Sequence, residues 1–99
     1  MGNKKPTIEE YAELAKMCID IRLRLLEISL HASLQCNAPK SVTKSVDDAA
    51  RNLNRFTSDM EDRFFSQYSD LPDEALDIFY PRFGDMKRSE QAAKSVMAK

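Results

Sequence analysis

His31 is the only histidine of the chain, and Glu27 stands one helical turn before it. At that spacing an imidazole and a carboxylate meet on one helix face. Such a pair can begin a metal site, but a site needs further ligands on facing helices, and a di-iron bundle needs paired Glu-x-x-His segments. Neither pattern occurs in the sequence, so His31 reads as an exposed, solvated histidine and no metal or cofactor is expected.

Two acidic pairs at a spacing of three, Glu10/Glu13 and Asp59/Asp62, raise a different chemistry. All-α nucleotide pyrophosphohydrolases hold Mg²⁺ between such pairs on facing helices, so a metal-dependent nucleotide hydrolase is the third reading weighed. The plainer account is a ladder of surface ion pairs, Asp47-Arg51-Arg55-Asp59-Arg63, on a polar face. No Gly-rich phosphate loop, Cys–His pair with an orienting group or nucleophile elbow is present. The expectation is a protein that is not an enzyme.

Cys18 and Cys36 complete the reactive inventory. On one helix they lie about 27 Å apart at ~1.5 Å per residue, far beyond disulfide reach. They read as reduced cysteines acting as small hydrophobes.

The elements that position these groups are helical. Thr7 with Glu10 forms a capping box, and no Gly or Pro follows until Asn37-Ala38-Pro39. Helix 1 is therefore expected over 8–35, with an apolar seam of Tyr11, Leu14, Ala15, Cys18, Ile21, Leu25, Ile28 and Ala32. A second helix, capped by Ser41 or Thr43, is expected over about 42–68. Its stripe is Val46, Ala49, Ala50, Leu53, Phe56, Met60 and Phe64. Asp70 is the expected N-cap of a short third helix that Pro81 stops. A weakly anchored C-terminal helix is expected from about Asp85 to Met97, with Met86, Ala93, Val96 and Met97 as anchors. The fold class is all-α: an antiparallel hairpin plus a short third helix and a C-terminal helix, a three- or four-helix bundle. Residues 1–99 make one domain, with 1–6 as an N-terminal arm and 85–99 as the weakly held tail.

Helix 1 carries its polar residues on one narrow strip: Glu9, Glu13, Lys16, Asp20, Arg24, Glu27 and His31. The rest of its circumference, an arc of about 240° at ~100° per residue, is nearly all apolar. One neighbouring helix cannot cover that arc. The third helix covers part of it near the aromatic end. The remainder, including Met17, Leu30 and Leu34, needs the fourth helix or another chain. Arg22 interrupts the arc and must snorkel or pair, and Glu61 is the acid best placed for it.

Six of the eight aromatics fall between 64 and 83: Phe64, Phe65, Tyr68, Phe79, Tyr80 and Phe83. Antiparallel packing brings Tyr11 to Phe64 and Tyr68, so these rings are expected to build a small core there. The alternative is a partner-binding patch of Phe65, Phe79, Tyr80, Arg82 and Phe83, since aromatics and Arg are enriched in interface hot spots.

Composition bounds the remaining classes. The 99 residues are 42% hydrophobic and 31% charged, with two Gly and four Pro, which is globular rather than disordered. The net charge of −1 gives no global case for nucleic acid or an anionic membrane. Charge is uneven, however: +2 over residues 84–99 and −3 over 69–83. Lys40 and Lys44 at the hairpin tip, or Lys87, Arg88 and Lys94 in the tail, define the runner-up reading of a nucleic-acid-associated protein. No apolar run approaches the roughly 20 residues that span a bilayer, and the first residues lack a signal-peptide core. Gly2 invites a myristoylation reading, but position 6 is Pro rather than Ser or Thr. The expectation is a small cytoplasmic, regulatory interaction protein that acts by binding another protein or a second copy of itself, as a homodimer.

Overall fold

The computed structural model describes residues 5–81 and 86–98. Two helices of equal length dominate: α1 over Ile8–Gln35 and α2 over Lys40–Gln67. A single 3₁₀ turn, Asp73–Ala75, runs into the one-turn helix α3, Leu76–Phe79, and α4 spans Met86–Met97. The fold is all-α, an antiparallel hairpin with the two later helices packed against one of its ends. Among the described residues no helix is long and apolar enough to cross a membrane.

The start of α1 follows from its capping box. Thr7 Oγ1 accepts from the Glu10 N–H at 3.0 Å, and the Glu10 carboxylate accepts from the Thr7 N–H at 2.8 Å. Its end follows from Asn37, whose φ of 54° is left-handed and tolerable for Asn. That turn lets the Ala38 N–H reach back to the Ala32 carbonyl at 2.9 Å.

α2 begins earlier than expected. Pro39 takes the N-cap position, its carbonyl accepting from Val42 and Thr43, and no side chain caps the helix. Ser41 and Thr43 thus lie inside the first turn, and Thr43 Oγ1 turns back to the Lys40 carbonyl. Asp70 is likewise not a cap. It holds a φ of 61° in the turn after α2, and Pro72 precedes the 3₁₀ turn.

The core gathers at one end of the hairpin, here called the base. Tyr11, Ala12, Ala15, Phe64, Ala75, Ile78, Phe79, Ala92, Ala93 and Val96 form one buried cluster. Tyr11 and Phe64 meet edge-on at 5.2 Å between ring centres, and Phe79 lies 5.8 Å from Phe64. The Tyr11 hydroxyl donates to Gln67, and the Tyr68 hydroxyl donates to the Pro6 carbonyl at 2.6 Å. Lys5 also stands over the Tyr68 ring, 4.2 Å from its centre. The anchors of α4 are smaller than expected: Ser89 and Ala92 are buried with Ala93 and Val96, while Met97 is exposed. Ser89 Oγ donates to the Ile78 carbonyl, tying α4 to α3.

The other half, toward the tip at Cys36–Pro39, is bare. Between residues 20 and 56 only Thr43 is buried. The expected seam holds at Tyr11, Ala15 and Cys18 but opens beyond them, where Ile21 and Ile28 are exposed. On α2 the buried line passes through Thr57, whose Oγ1 donates to the Leu53 carbonyl at 2.8 Å, and leaves Phe56 outside. The molecule measures 49 × 30 × 19 Å, with a radius of gyration of 15.8 Å. A compact chain of this length has about 12.6 Å.

Candidate functional site

α4 is 12 residues long against 28 for α1, or about 18 Å against 42 Å. It runs antiparallel to α1 over the base half, with Lys16 Nζ 2.9 Å from the Glu90 carboxylate. Beneath it lie Ala12 and Ala15 of α1, clustered with Ala92, Ala93 and Val96, and the buried Ile19 follows on the same helix face, the three spaced three and four apart. The same spacing continues along the same face as Leu23, Leu26, Leu30 and Leu34, where α4 no longer reaches. These four leucines are exposed, Leu26 at 55% and Leu34 at 71%.

Leu23 and Leu26 also edge a groove between α1 and α2, lined further by Arg22, Leu25, Val46 and Ala50. Around the α1 circumference a second set, Met17, Ile21 and Ile28, is exposed as well. Helix geometry puts it on the far side of the α1–α2 seam, the side that also carries Phe56 and Val42 of α2.

Of the expected partner residues, Met17, Leu30 and Leu34 lie on this open surface. Phe79 does not: it is fully buried and belongs to the core. Phe65 is half-buried against Phe64, 5.1 Å between ring centres. The half-buried Tyr80 has its hydroxyl 2.8 Å from Ser58 Oγ and 3.0 Å from the Asn54 carbonyl. Phe65 and Tyr80 thus each pack on one side against the hairpin and keep part of the ring at the surface. Arg82 and Phe83 lie outside the described residues, as does Asp85 at the expected start of the fourth helix. Sequence reasoning missed Leu23, Leu26, Val42 and Phe56. The signal available for the two leucines was the unbroken spacing that links them to Ala12, Ala15 and Ile19.

The electrostatics around this surface are those of a solvated exterior. Arg22 does not pair with Glu61; its guanidinium lies over the Tyr80 ring, 5.6 Å from the centre. Glu61 instead has its carboxyl pushed up, first by burial and then by the neighbouring Asp62. The expected ladder from Asp47 gives way to a cluster on Asp48, with Lys44 at 2.9 Å and Arg51 at 3.4 Å. Hydrogen bonding from Lys44 holds the Asp48 carboxyl low, helped by the charge of Arg51. Asp47 accepts from Ser29 across the hairpin at 3.2 Å. The Lys16 hydrogen bond holds Glu90 low, and Glu90 in turn holds Lys16 high.

Of the basic residues, Lys40 and Lys44 sit at the tip, whereas Lys87, Arg88 and Lys94 ride on α4 at the base. His31 and Glu27 are both exposed, and Cys18 is buried while Cys36 is exposed. Among the described residues no group of three or more His, Cys, Asp or Glu side chains could hold a metal ion.

In comparison with known proteins, no family model, no curated protein and no solved structure matches this chain.

Proposed function

We propose that this chain is a non-enzymatic helical interaction protein that works by binding a polypeptide along the open half of its hairpin. One observation carries the reading: the hairpin extends half its length beyond its own core, and that half presents leucines, isoleucines and a phenylalanine to solvent. Scattered exposed hydrophobics are ordinary. A contiguous set along one helix, continuing the face that α4 covers in the same chain, supports reading it as an interaction site. The rim is polar and mixed in sign, with Asp20, Arg24, Glu27 and Asp48, as interface rims are.

A photo-crosslinking side chain placed at Leu34 tests the reading in cells, with Arg24 on the polar strip as the control position. Crosslinks to a polypeptide at Leu34, well above those at Arg24, are expected. Equal yields at the two positions would refute it.

A further inference from the structure

We infer that the occupant of the leucine strip is a second copy of this chain, paired through the tip halves of α1 about a two-fold axis. The inference rests on the interaction reading above and specifies its partner.

The area supports a stable dimer. The chain exposes 7078 Å². A compact protein of 11.3 kDa exposes about 5,700 Å² by the surface scaling of folded monomers. The surplus, on the order of 1,300 Å², belongs to the whole elongated chain, both open faces included, and the roughly 800 Å² that each partner contributes to a standard interface is a part of it.

The pattern supports a copy rather than a stranger. A two-fold interface requires a patch that complements itself. Leu23, Leu26, Leu30 and Leu34 are spaced three, four and four apart, so their order reversed nearly matches itself. Antiparallel pairing sets Leu23 against Leu34 of the partner subunit and Leu26 against Leu30 of the partner subunit. In antiparallel helix pairs each flank faces its own symmetry mate. The flank that carries Glu27 and His31 therefore brings Glu27 to the partner subunit's His31, and the reverse, a carboxylate meeting an imidazole twice.

The fit along the axis is also consistent. α4 covers the α1 face from near Ile8 to about one turn beyond Lys16. In this register Gln35 of the partner subunit falls opposite Arg22, near the end of the stretch that α4 covers, so the partner covers the leucine face beyond it. The result is a longer bundle in which each α1 is covered by its own α4 at the base and by its mate at the tip.

Sedimentation equilibrium over a wide concentration range is the test. The wild-type chain is expected to be a dimer, and Leu26→Glu with Leu30→Glu is expected to weaken association by roughly thirtyfold or more. Both leucines are about half exposed in the single chain, so the far-UV circular dichroism should be unchanged. His31→Glu alone should weaken the dimer, and adding Glu27→His should restore it. A dimer indifferent to the leucine changes, or one weakened by His31→Glu but not restored by the exchange, overturns the proposed pairing. A strict monomer that takes up an apolar dye on the strip overturns self-pairing and leaves the interaction reading standing. A strict monomer that takes up none overturns both.

Discussion

Ser89 Oγ donates its hydrogen bond to the Ile78 carbonyl, and both residues are wholly shielded from solvent. This bond joins α4 to α3 at the point where α4 has few large side chains with which to anchor itself. Ser89→Ala leaves a buried carbonyl short of its partner, at a cost of about 1–3 kcal/mol. For a small domain that is a large share of the ~5–15 kcal/mol total. The expected outcome is a lower melting temperature and faster amide exchange across residues 86–97. Exchange rising equally throughout the chain would show that α4 is not separately held.

Two carboxylates should respond to acid in opposite directions. Glu90 is held low by Lys16, so the stability it contributes is present above its ordinary value of 4.5 and is lost as pH falls below it. Lys16 is held high, so its contribution is complete below 10.5 and is lost above that. Glu61 is pushed up by burial, so its contribution is complete below 4.5 and is lost as pH rises through its folded value. Glu90→Gln should therefore lower the melting temperature at pH 7 and make no difference well below pH 4. Glu61→Gln should raise it slightly at pH 7, since the site is near the surface and solvent screens its charge. That gain should vanish in acid. Melting curves of both variants against pH check the signs.

Much of the fold is written locally. The Thr7–Glu10 box and the Asn37-Ala38-Pro39 stop fix α1 from its own residues, and the turn length then forces the antiparallel hairpin. The aromatic cluster follows from register. The bare half is not legible in the same way. A helical wheel tells which face of α1 is apolar, but not how far a later helix will extend along it. That limit is set by α4 beginning at Met86 opposite the middle of α1. The buried place of Thr57 was hidden for a related reason: in a helix its hydroxyl is satisfied by the Leu53 carbonyl, so a polar residue enters the seam without an unpaired group.

Arg22 and Arg24 look alike in sequence and differ in surroundings. Arg22 is half-buried and lies over the Tyr80 ring, and Tyr80 is itself fixed by Ser58 and Asn54. Arg24 has only an exposed partner, Asp20, at 3.7 Å. A cation over an aromatic ring near the surface is worth about 0.5–1 kcal/mol, and an exposed helix ion pair about 0.3–0.5. Arg22→Ala should thus lower stability more than Arg24→Ala, and Tyr80→Leu should remove much of that difference. A double-mutant cycle by chemical denaturation measures the coupling, and a value near zero would remove the ring contact as the reason.

Phe56 and Phe64 belong to one stripe by sequence spacing, yet only Phe64 is enclosed, at 0% exposure against 46% for Phe56. Phe64 touches Tyr11, Phe65, Tyr68 and Phe79, so its removal opens a cavity that four rings cannot close. Phe64→Ala should cost about 3–5 kcal/mol, a large share of the total, and lower the denaturation midpoint accordingly. Phe56→Ser lies on the side of the hairpin away from the leucine strip. It should cost less than about 1 kcal/mol in the single chain, since much of the ring is in water already. Under the pairing inferred here it should also leave the dimer intact, whereas Leu26→Glu should not. Denaturation midpoints and sedimentation on the same three variants separate the two roles. A loss of association with Phe56→Ser would move the interface to the opposite face of the hairpin.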